Sequence, residues 1–370
     1  MARRQTPPFR ADHVGSLLRT KPLKEARARR ERNEIDADEL KAIENREIAA
    51  TISRQEDIGL QAVTDGEFRR AFWNYDFLGA LPGVEAYLGE RKIKFQGVNP
   101  KPMMLRVNGK LGTFSGHPML EHFRFTKARA RVVPKMTLPS PSSLHFRYGR
   151  EAVPESIYPD MSEFYRDLGQ TYRLAIRAFA DAGCRYLQLD EVNLAYLCDP
   201  NLRAQVAARG DDPEKLPMVY AGMINAAISD VPSDMTIAMH LCRGNFQSTF
   251  VATGGYEPVA EILFNATRVH GYFMEYDSDR AGGFEPLRFV PKGKMVVLGL
   301  VTSKSGRLES RDVLKRRIDA AAKYVPLEQL CLSPQCGFAS TEEGNLLAEE
   351  EQWEKLRMIV ELADEVWGTS

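Results

Sequence analysis

Short apolar segments that alternate with longer amphipathic ones recur through this chain of 370 residues and constrain its fold more than any other feature. Each short segment has the length and apolar character of a buried strand, and the longer ones have helical spacing. The eight predicted strands cover residues 9–16, 60–65, 132–137, 185–190, 236–242, 271–276, 295–301 and 329–333. The main predicted helices cover residues 22–33, 37–58, 161–182, 217–229, 257–265, 310–324 and 342–366.

Eight strands that alternate with helices predict an α/β fold, namely a closed (β/α)8 TIM barrel. A doubly wound open sheet is the alternative, but it usually has fewer strands and a glycine-rich first turn. No G-x-G-x-x-G follows the first predicted strand, and the sequence contains no P-loop. We therefore expect residues 1–370 to form one catalytic barrel domain.

Residues 84–131 interrupt this alternation between the second and third predicted strands. The segment is rich in lysine, arginine and aromatic residues, and it contains Asn108-Gly109, a strong signal for a two-residue hairpin turn. We interpret it as an inserted β excursion that covers one mouth of the barrel.

Charge and cysteine usage exclude several classes of protein. Lysine plus arginine and aspartate plus glutamate both number 50, so no basic excess points to nucleic acid or to an anionic membrane. No apolar run reaches the roughly 18 residues of a membrane helix, and the first residues lack the apolar core of a secretory signal. Five cysteines, an odd number, do not make a disulfide framework. We expect a cytoplasmic protein, and the sequence gives no indication of its oligomeric state.

Polar and metal-binding residue types follow nearly every predicted strand, whereas the strand bodies are apolar. In a TIM barrel the active site is built at the carboxyl ends of the strands. The pattern therefore places the candidate site at one mouth of the barrel. In chain order these residues are His13, Ser16, Asp65, Glu67, Ser140, Asp190, Glu191, His240, Cys242, Glu275, Asp277 and Cys336.

A metal site is predicted from the ends of the fifth, sixth and eighth strands. His240 and Cys242 are two residues apart on a strand, so their side chains project from the same face. Alone, the pair is more typical of a buried cysteine beside a hydrogen-bonded histidine. Glu275 and Cys336 at later strand ends complete a set of N, S and O donors that favours zinc. Asp277 is a competing ligand for the position of Glu275.

Two thiolate ligands suit one kind of chemistry better than another. They donate charge and reduce the Lewis acidity that hydrolytic zinc sites need, but they suit the activation of a substrate thiol. Glu67 and Asp190 lie at the same rim and could hold an ammonium group, so a thiol that is also an amino acid fits both features. The alternative is that these two carboxylates are structural and bonded to loop backbone.

Several motifs together resemble the catalytic barrel of cobalamin-independent methionine synthase. They are H-x-C at 240–242, the strand glutamate of YFMEYD at 275, and P-x-C-G at 334–337. Near the start, H-V-G-S at 13–16 is similar to the family's I-G-S segment and D-G-E at 65–67 to its H-G-E. L-Q-L-D-E at 187–191 is similar to its I-Q-I-D-E. The matches run in the family's order from about residue 9 to the end of the sequence.

The resemblance implies a zinc-dependent S-methyltransferase that converts homocysteine to methionine with a methylated folate or another methyl donor. It implies that the substrate thiol joins a zinc held by four ligands, of which the glutamate is the one that can yield, and that attack on the methyl group follows. The implied zinc ligands are His240, Cys242, Glu275 and Cys336, and His240, Cys242 and Cys336 are the implied catalytic residues. The implied substrate-binding residues are His13, Val14, Ser16, Glu67, Asp190 and Phe146, with Glu67 and Asp190 on the amino group.

The sequence departs from the family in three respects. The full-length enzymes have two barrels, and this chain has the length of one. The tryptophan that flanks the pterin in the family has no match, and Phe146 is the nearest aromatic residue. The histidine proposed as proton donor after the seventh strand is absent, so we consider Lys304 and His145 as substitutes.

These departures leave other functions open. The nearest alternative is a zinc-dependent thiol alkyltransferase of the epoxide-opening type, acting on another thiol with a non-folate donor. A zinc-sensing or metal-storage barrel and a zinc-free decarboxylase on the porphyrinogen-binding barrel are two further alternatives. The decarboxylase has no use for His240, Cys242 and Cys336 together.

Overall fold

A computed structural model describes residues 4–89 and 103–368 of the chain. Its centre is a curled sheet of seven parallel strands in the order β1-β4-β5-β6-β7-β8-β9, and β2 and β3 form a separate antiparallel pair. The strands are β1 Ala62–Val63, β2 Val84–Leu88, β3 Met103–Val107, β4 Val133–Pro139, β5 Tyr186–Asp190, β6 Thr236–Leu241, β7 Gly271–Glu275, β8 Met295–Val301 and β9 Leu330–Pro334.

Helices connect these strands along the chain. The α-helices are α1 Lys21–Glu31, α2 Ala37–Asp57, α3 Tyr75–Leu78, α4 Met119–Arg129, α5 Ser143–Phe146, α6 Met161–Asp181, α7 Val192–Tyr196, α8 Pro200–Ala208, α9 Leu216–Ala227, α10 Glu257–Ala266, α11 Arg311–Ala321 and α12 Glu349–Trp367. Short 3-10 helices cover Gly149–Ala152, Asp279–Ala281, Glu285–Phe289 and Leu327–Gln329. Within residues 4–89 and 103–368, no helix has the length and apolar character needed to cross a membrane.

The sheet strands are buried on both faces, as expected for parallel strands covered by helices. Every residue of β5, β7, β8 and β9 is buried. Helix α6 shows how the covering layer forms, because Phe164, Leu168, Tyr172 and Ile176 recur at helical spacing and are all buried. The carboxylate of Asp160 accepts a hydrogen bond from the Ser162 N–H and caps the start of this helix.

Seven of the eight predicted strands are confirmed, but the prediction of a ladder strand over residues 9–16 is wrong. This segment pairs with β9 through a single parallel bridge, Ala11 with Leu332. The carboxylate of Asp12 accepts hydrogen bonds from the N–H groups of Phe9 (3.1 Å) and His13 (2.8 Å), so the side chain takes donors that a ladder would use. The sheet therefore has seven strands, where the sequence predicted a closed barrel of eight.

The segment nevertheless runs between the last and the first strands of the sheet. The N–H of Asp12 donates to the carbonyl of Leu332 in β9 (3.0 Å). Further along, the N–H of Leu17 donates to the carbonyl of Gly66, just after β1 (3.0 Å). Residues 10–17 thus link the two edges of the curled sheet.

The insertion after β1 contains the predicted β structure, but the prediction of a hairpin turn at Asn108-Gly109 is wrong. β2 and β3 pair in antiparallel fashion, with Val84 opposite Val107. Asn108 and Gly109 follow β3 rather than connecting two strands, and both of their N–H groups donate to the carbonyl of Gly83. The connection from β2 to β3 includes residues 90–102, which lie outside the described part of the chain. Helix α4 completes the insertion, which the sequence had predicted as β structure only.

Candidate active site and metal centre

Three of the four predicted metal ligands converge at the carboxyl ends of β6 and β9. One ligand atom from each of His240, Cys242 and Cys336 lies within 4.8 Å of the others, and all three side chains are buried. The two sulfur atoms are 3.4 Å apart. The convergence arises because parallel strand ends meet at one edge of the sheet, although Cys242 and Cys336 are 94 residues apart in sequence.

The hydrogen bonding of this cluster fits a metal. Neither ring nitrogen of His240 has a hydrogen-bond partner among the described residues, although the side chain is only 2% exposed. Buried polar groups are almost always satisfied, so a ring nitrogen of His240 is available to bind a metal ion. The contact with the Cys242 thiol holds the pKa of Cys336 well below its usual range, and His240 acts in the same direction while burial opposes both. One imidazole and two sulfurs are the donors that zinc accepts.

Glu275, the predicted fourth ligand, lies outside this group of three. Its Oε2 accepts a hydrogen bond from the Arg243 N–H (2.9 Å), and its carboxylate forms an ion pair with Arg280. Burial raises the pKa of Glu275, but Lys304, Arg243 and Arg280 outweigh it and the net shift is downward. The carboxylate is therefore ionised, with arginine groups bonded to it.

The two carboxylates predicted to bind an amino group face the same cavity. Glu67 accepts a hydrogen bond from the Thr137 hydroxyl and forms an ion pair with Arg70. Burial raises the pKa of Glu67 to about 7, with Arg70 opposing this shift and Asp190 adding to it. Asp190 accepts from the Gln188 amide (2.7 Å), and burial raises its pKa as well.

The neighbouring acid, Glu191, has a structural role instead. Its carboxylate accepts hydrogen bonds from the N–H groups of Asn193 (2.9 Å) and Leu194 (3.0 Å) and caps α7. The Ser142 hydroxyl also donates to it (2.5 Å). Backbone bonding of this kind, the structural alternative for Glu67 and Asp190, is seen at Glu191, whereas the side chains of Glu67 and Asp190 are bonded mainly by other side chains.

The cluster of His240, Cys242 and Cys336, called the metal cluster below, lines a small cavity of about 30 Å³ together with Glu67 and Asp190. Gly337, next to Cys336, packs closely against Ser16 at this cavity. A Cβ on Gly337 would lie only 1.9 Å from the Ser16 hydroxyl oxygen, so a larger residue would not fit. The predicted residues that line the cavity are Val14, Ser16, Glu67, Asp190, His240, Cys242 and Cys336. Lining residues that were not predicted include Arg70, Trp73, Arg147, Tyr196 and Asn245.

A comparison with known protein families identifies this arrangement. The model of the cobalamin-independent synthase catalytic domain matches residues 9–104 and 159–365 of the chain. The chain belongs to this family. The expected resemblance is thereby confirmed, and the cluster of His240, Cys242 and Cys336 lies within the matched residues.

Individual relatives within the cobalamin-independent synthase family differ in how much is known of them. The uncharacterized protein YxjH of Bacillus subtilis (strain 168) is 51% identical over 362 residues, which are 97% of this chain and 95% of that protein. A Listeria monocytogenes structure, provisionally named a vitamin-B12 independent methionine synthase, is 41% identical with a TM-score of 0.78 and covers 99% of this chain and 100% of its own. A 5-methyltetrahydropteroyltriglutamate–homocysteine methyltransferase of Bacillus velezensis is 22% identical over 90% of this chain, which spans 40% of that protein.

Two residues that the family resemblance placed in the substrate site do not line the cavity of this family member. The Nε2 atom of His13 lies 3.3 Å from the carbonyl of Ala62, and the residue is buried. Phe146 is 1% exposed, and its ring packs against Tyr196 and Tyr220. Phe146 instead lines a separate cavity of about 290 Å³.

Of the two proton donors considered in place of the family's histidine, Lys304 contacts a residue that lines the cavity, although it does not line the cavity itself. The Nζ atom of Lys304 donates to the Asn245 side chain (3.0 Å). The ring of His145 instead contacts Tyr220 (2.9 Å) and Tyr165 (3.1 Å) through its two nitrogens. Burial lowers the pKa of His145 to about 4.

Arg70 and Trp73 are the lining residues that the sequence could have indicated. They follow Glu67 within six positions in D-G-E-F-R-R-A-F-W, on the turns that connect β1 to α3. Charged and aromatic residues next to a strand-end motif are the available signal. Arg147 follows the predicted Phe146, and its guanidinium lies 5.6 Å from the Trp73 ring centre.

Proposed function

We propose that this protein is a zinc-dependent S-methyltransferase that transfers a methyl group to the thiol of homocysteine and forms methionine. One observation supports this most: a buried cluster of imidazole and two thiols shares a small cavity with two carboxylates. The cluster suits a substrate thiol and the carboxylates suit an amino group, so an amino-acid thiol fits both ends. The proposal also includes a cytoplasmic location and a single catalytic domain over residues 1–370.

The metal cluster would supply the activation of the thiol. Zinc held by His240, Cys242 and Cys336 would bind the substrate sulfur and favour its thiolate form at neutral pH. We retain Glu275 as the proposed fourth ligand, although its carboxylate is bonded to the Arg243 N–H and to Arg280. Arg280 would then compete with the metal for this side chain.

The remaining residues would orient the substrate. Glu67 and Asp190 would bind the ammonium group, and the backbone at Val14 to Ser16 would contact the carboxylate. Fixing both ends of the amino acid holds its sulfur in one position relative to the donor methyl group, which reduces the entropy lost on reaching the transition state. A new bond forms between sulfur and the methyl carbon while the bond from that carbon to the donor breaks.

A second function is favoured by the segment after β8. The residues Thr302, Ser303 and Lys304 replace the family's proton-donating histidine, and only Lys304 of the two substitutes contacts a cavity residue. A non-folate donor would not require that histidine to protonate a pterin nitrogen. The alternative is therefore a zinc-dependent thiol alkyltransferase of the epoxide-opening type that acts on another thiol, in which a C–S bond forms, a C–O bond breaks and the released alkoxide takes a proton from Lys304 or from water.

Methionine formation by the zinc-loaded protein tests the proposal. Homocysteine would be supplied with methylated folates, methylcobalamin or simple sulfonium donors in turn, and the product measured by mass spectrometry. We expect methionine with at least one donor and none from a Cys336→Ser variant. The absence of methionine with every donor, in protein that holds one zinc ion, would contradict the proposed function.

A further inference from the structure

Arg70 forms an ion pair with Glu67, the carboxylate proposed to receive the substrate amino group. Both side chains are more than nine-tenths buried, with 5% of Arg70 and 7% of Glu67 exposed. The Nε and Nη1 atoms of Arg70 have no hydrogen-bond partner among the described residues. A buried guanidinium at the wall of a cavity can use such unsatisfied N–H groups to bind a second, anionic partner.

This ion pair has a consequence for any amine that reaches Glu67. The ammonium would have to share the carboxylate with Arg70 or replace it. If it replaced Arg70, the guanidinium would lose its bonded carboxylate, and removal of one partner from a buried pair is strongly destabilising. An amine alone therefore binds here at a cost in stability, because it breaks the pair and leaves Arg70 to interact with Asp190, the second carboxylate that lines the cavity.

A substrate that carries both charges avoids this penalty. Its ammonium can pair with Glu67 while its own anionic group pairs with Arg70, so two new ion pairs replace the one that is broken. An anion alone fails for the opposite reason, because it would leave Glu67 without its guanidinium. The cavity is lined by two carboxylates, Glu67 and Asp190, and two guanidiniums, Arg70 and Arg147, so a zwitterion leaves their charge balance unchanged, whereas a singly charged thiol alters it.

From these contacts we propose that Arg70 is the specificity-determining residue that selects a zwitterionic thiol, by exchanging Glu67 for the carboxylate of the substrate. The inference rests on the proposed function, because it assigns the acid-binding partner in the same site. Arg70 would form an ion pair with the substrate carboxylate, and the backbone from Val14 to Ser16 would contact the same carboxylate.

The exchange requires a guanidinium that lines the cavity and is paired with a carboxylate of that cavity. Two neighbouring arginines, Arg69 and Arg147, do not meet both requirements. Arg69 is already bonded to Glu44 (2.8 Å) and Asn45 (2.5 Å) and does not line the metal cavity. Arg147 lines it and has a buried Nε without a partner, but no carboxylate pairs with it among the described residues. Arg69 therefore serves as the distant control and Arg147 as the competing candidate.

Four small thiols separate the two charges of the substrate. Homocysteine has the amine and the acid, 3-mercaptopropylamine has the amine, 4-mercaptobutanoic acid has the acid, and propanethiol has neither. Their affinities for the zinc-loaded protein would be measured by calorimetry. Cobalt-substituted protein would report, through its absorption spectrum, whether each sulfur reaches the metal.

Wild-type protein should bind homocysteine at least tenfold more tightly than either singly charged thiol. Arg70→Gln should lose most of this preference, chiefly by weakening homocysteine relative to 3-mercaptopropylamine, and Arg70→Lys should restore part of it. Arg69→Gln should keep the wild-type ratio. Zinc content and thermal unfolding of each variant check that the site is folded, since the ratio of affinities is read within one protein.

Two outcomes would overturn the role of Arg70. One is an unchanged preference for homocysteine in a folded Arg70→Gln protein, and the other is loss of the preference in Arg147→Gln alone. Because binding is measured without a methyl donor, zwitterion selection without methionine formation would contradict only the proposed function. Methionine formation without zwitterion selection would contradict only the role of Arg70, and a wild type that binds none of the thiols contradicts both.

Discussion

The sulfur atoms of Cys242 and Cys336 lie 3.4 Å apart, at the ends of strands that are not neighbours in the sheet. This separation is too long for a disulfide bond, whose sulfurs are about 2 Å apart. It suits two donors that share a hydrogen or a metal ion. The buried ring of His240 supplies a third donor with no hydrogen bond of its own among the described residues.

Replacement of Cys336 by serine should therefore abolish stable zinc binding, because it removes one of two soft donors. We expect about one zinc ion per wild-type chain, and far less in the variant, by elemental analysis after dialysis against a weak chelator. Cys331→Ala is the control. Cys331 lies in the body of β9, the strand that Cys336 follows, so its replacement should leave the zinc content unchanged. Full zinc retention by the Cys336→Ser protein would count against the assigned site.

The buried Glu67 should make the stability of the protein depend on pH. Burial raises its pKa from the usual value near 4.5 to about 7, so between these values the folded chain holds a proton that the unfolded chain has released. Stability from this group is then present below the unfolded pKa and is lost as pH rises towards 7. Glu67→Gln should reduce the fall in the free energy of unfolding between pH 5 and pH 8, measured by urea denaturation. Equal falls in both proteins would contradict the assignment.

Removal of the Arg280 side chain should strengthen metal binding. Arg280 forms an ion pair with Glu275, the proposed fourth ligand. Arg280→Gln frees this carboxylate for the metal, and we expect about tenfold tighter zinc binding, or about 1.4 kcal/mol. Competition with a chromogenic chelator measures this, and Glu275→Gln should change the affinity in the opposite direction. Weaker binding in Arg280→Gln would show that Arg280 supports the site.

Lys304 should matter for some methyl donors and not for others. Its side chain donates to Asn245, which lines the cavity, and in the proposed reaction it would supply a proton to a leaving nitrogen. General acid catalysis typically contributes 100-fold to 10,000-fold, so Lys304→Gln should slow transfer from a methylated folate by about this factor. Transfer from a sulfonium donor, which leaves as a neutral thioether, should be nearly unaffected. Equal loss with both donors would indicate a binding role instead.

The strand pattern was predictable wherever a continuous apolar run is bounded by turn residues. β8 occupies its predicted bounds, Met295–Val301, for this reason. The segment around Asp12 has a similar pattern, but its carboxylate bonds the local backbone, and that competition depends on a side-chain conformation rather than on periodicity. Helix α12 begins at Glu349, seven residues later than predicted, because residues 342–348 form turns and bends and Gly344 adopts a left-handed φ of 74°.

The metal cluster was predictable because strand ends converge whatever the sequence distance between them. The position of Glu275 on its strand was predictable too, but its bonding was not. Its partner Arg280 lies in the short 3-10 helix Asp279–Ala281 after the strand, and nothing in the spacing indicates which way that segment turns. The position of Phe146 was not predictable for a related reason, since its short helix turns the ring towards Tyr196 and Tyr220.

The joining of the sheet edges by residues 10–17 has a consequence for how the site matures. Ser16 sits against Gly337, and Cys242 needs Cys336, so the cavity combines early and late parts of the chain. During synthesis, Cys242 leaves the ribosome 94 residues before its partner sulfur. The nascent protein therefore passes through a stage with most of its strands made but without its full set of soft donors. Zinc binding by all three donors of the proposed site would therefore follow the synthesis of Cys336.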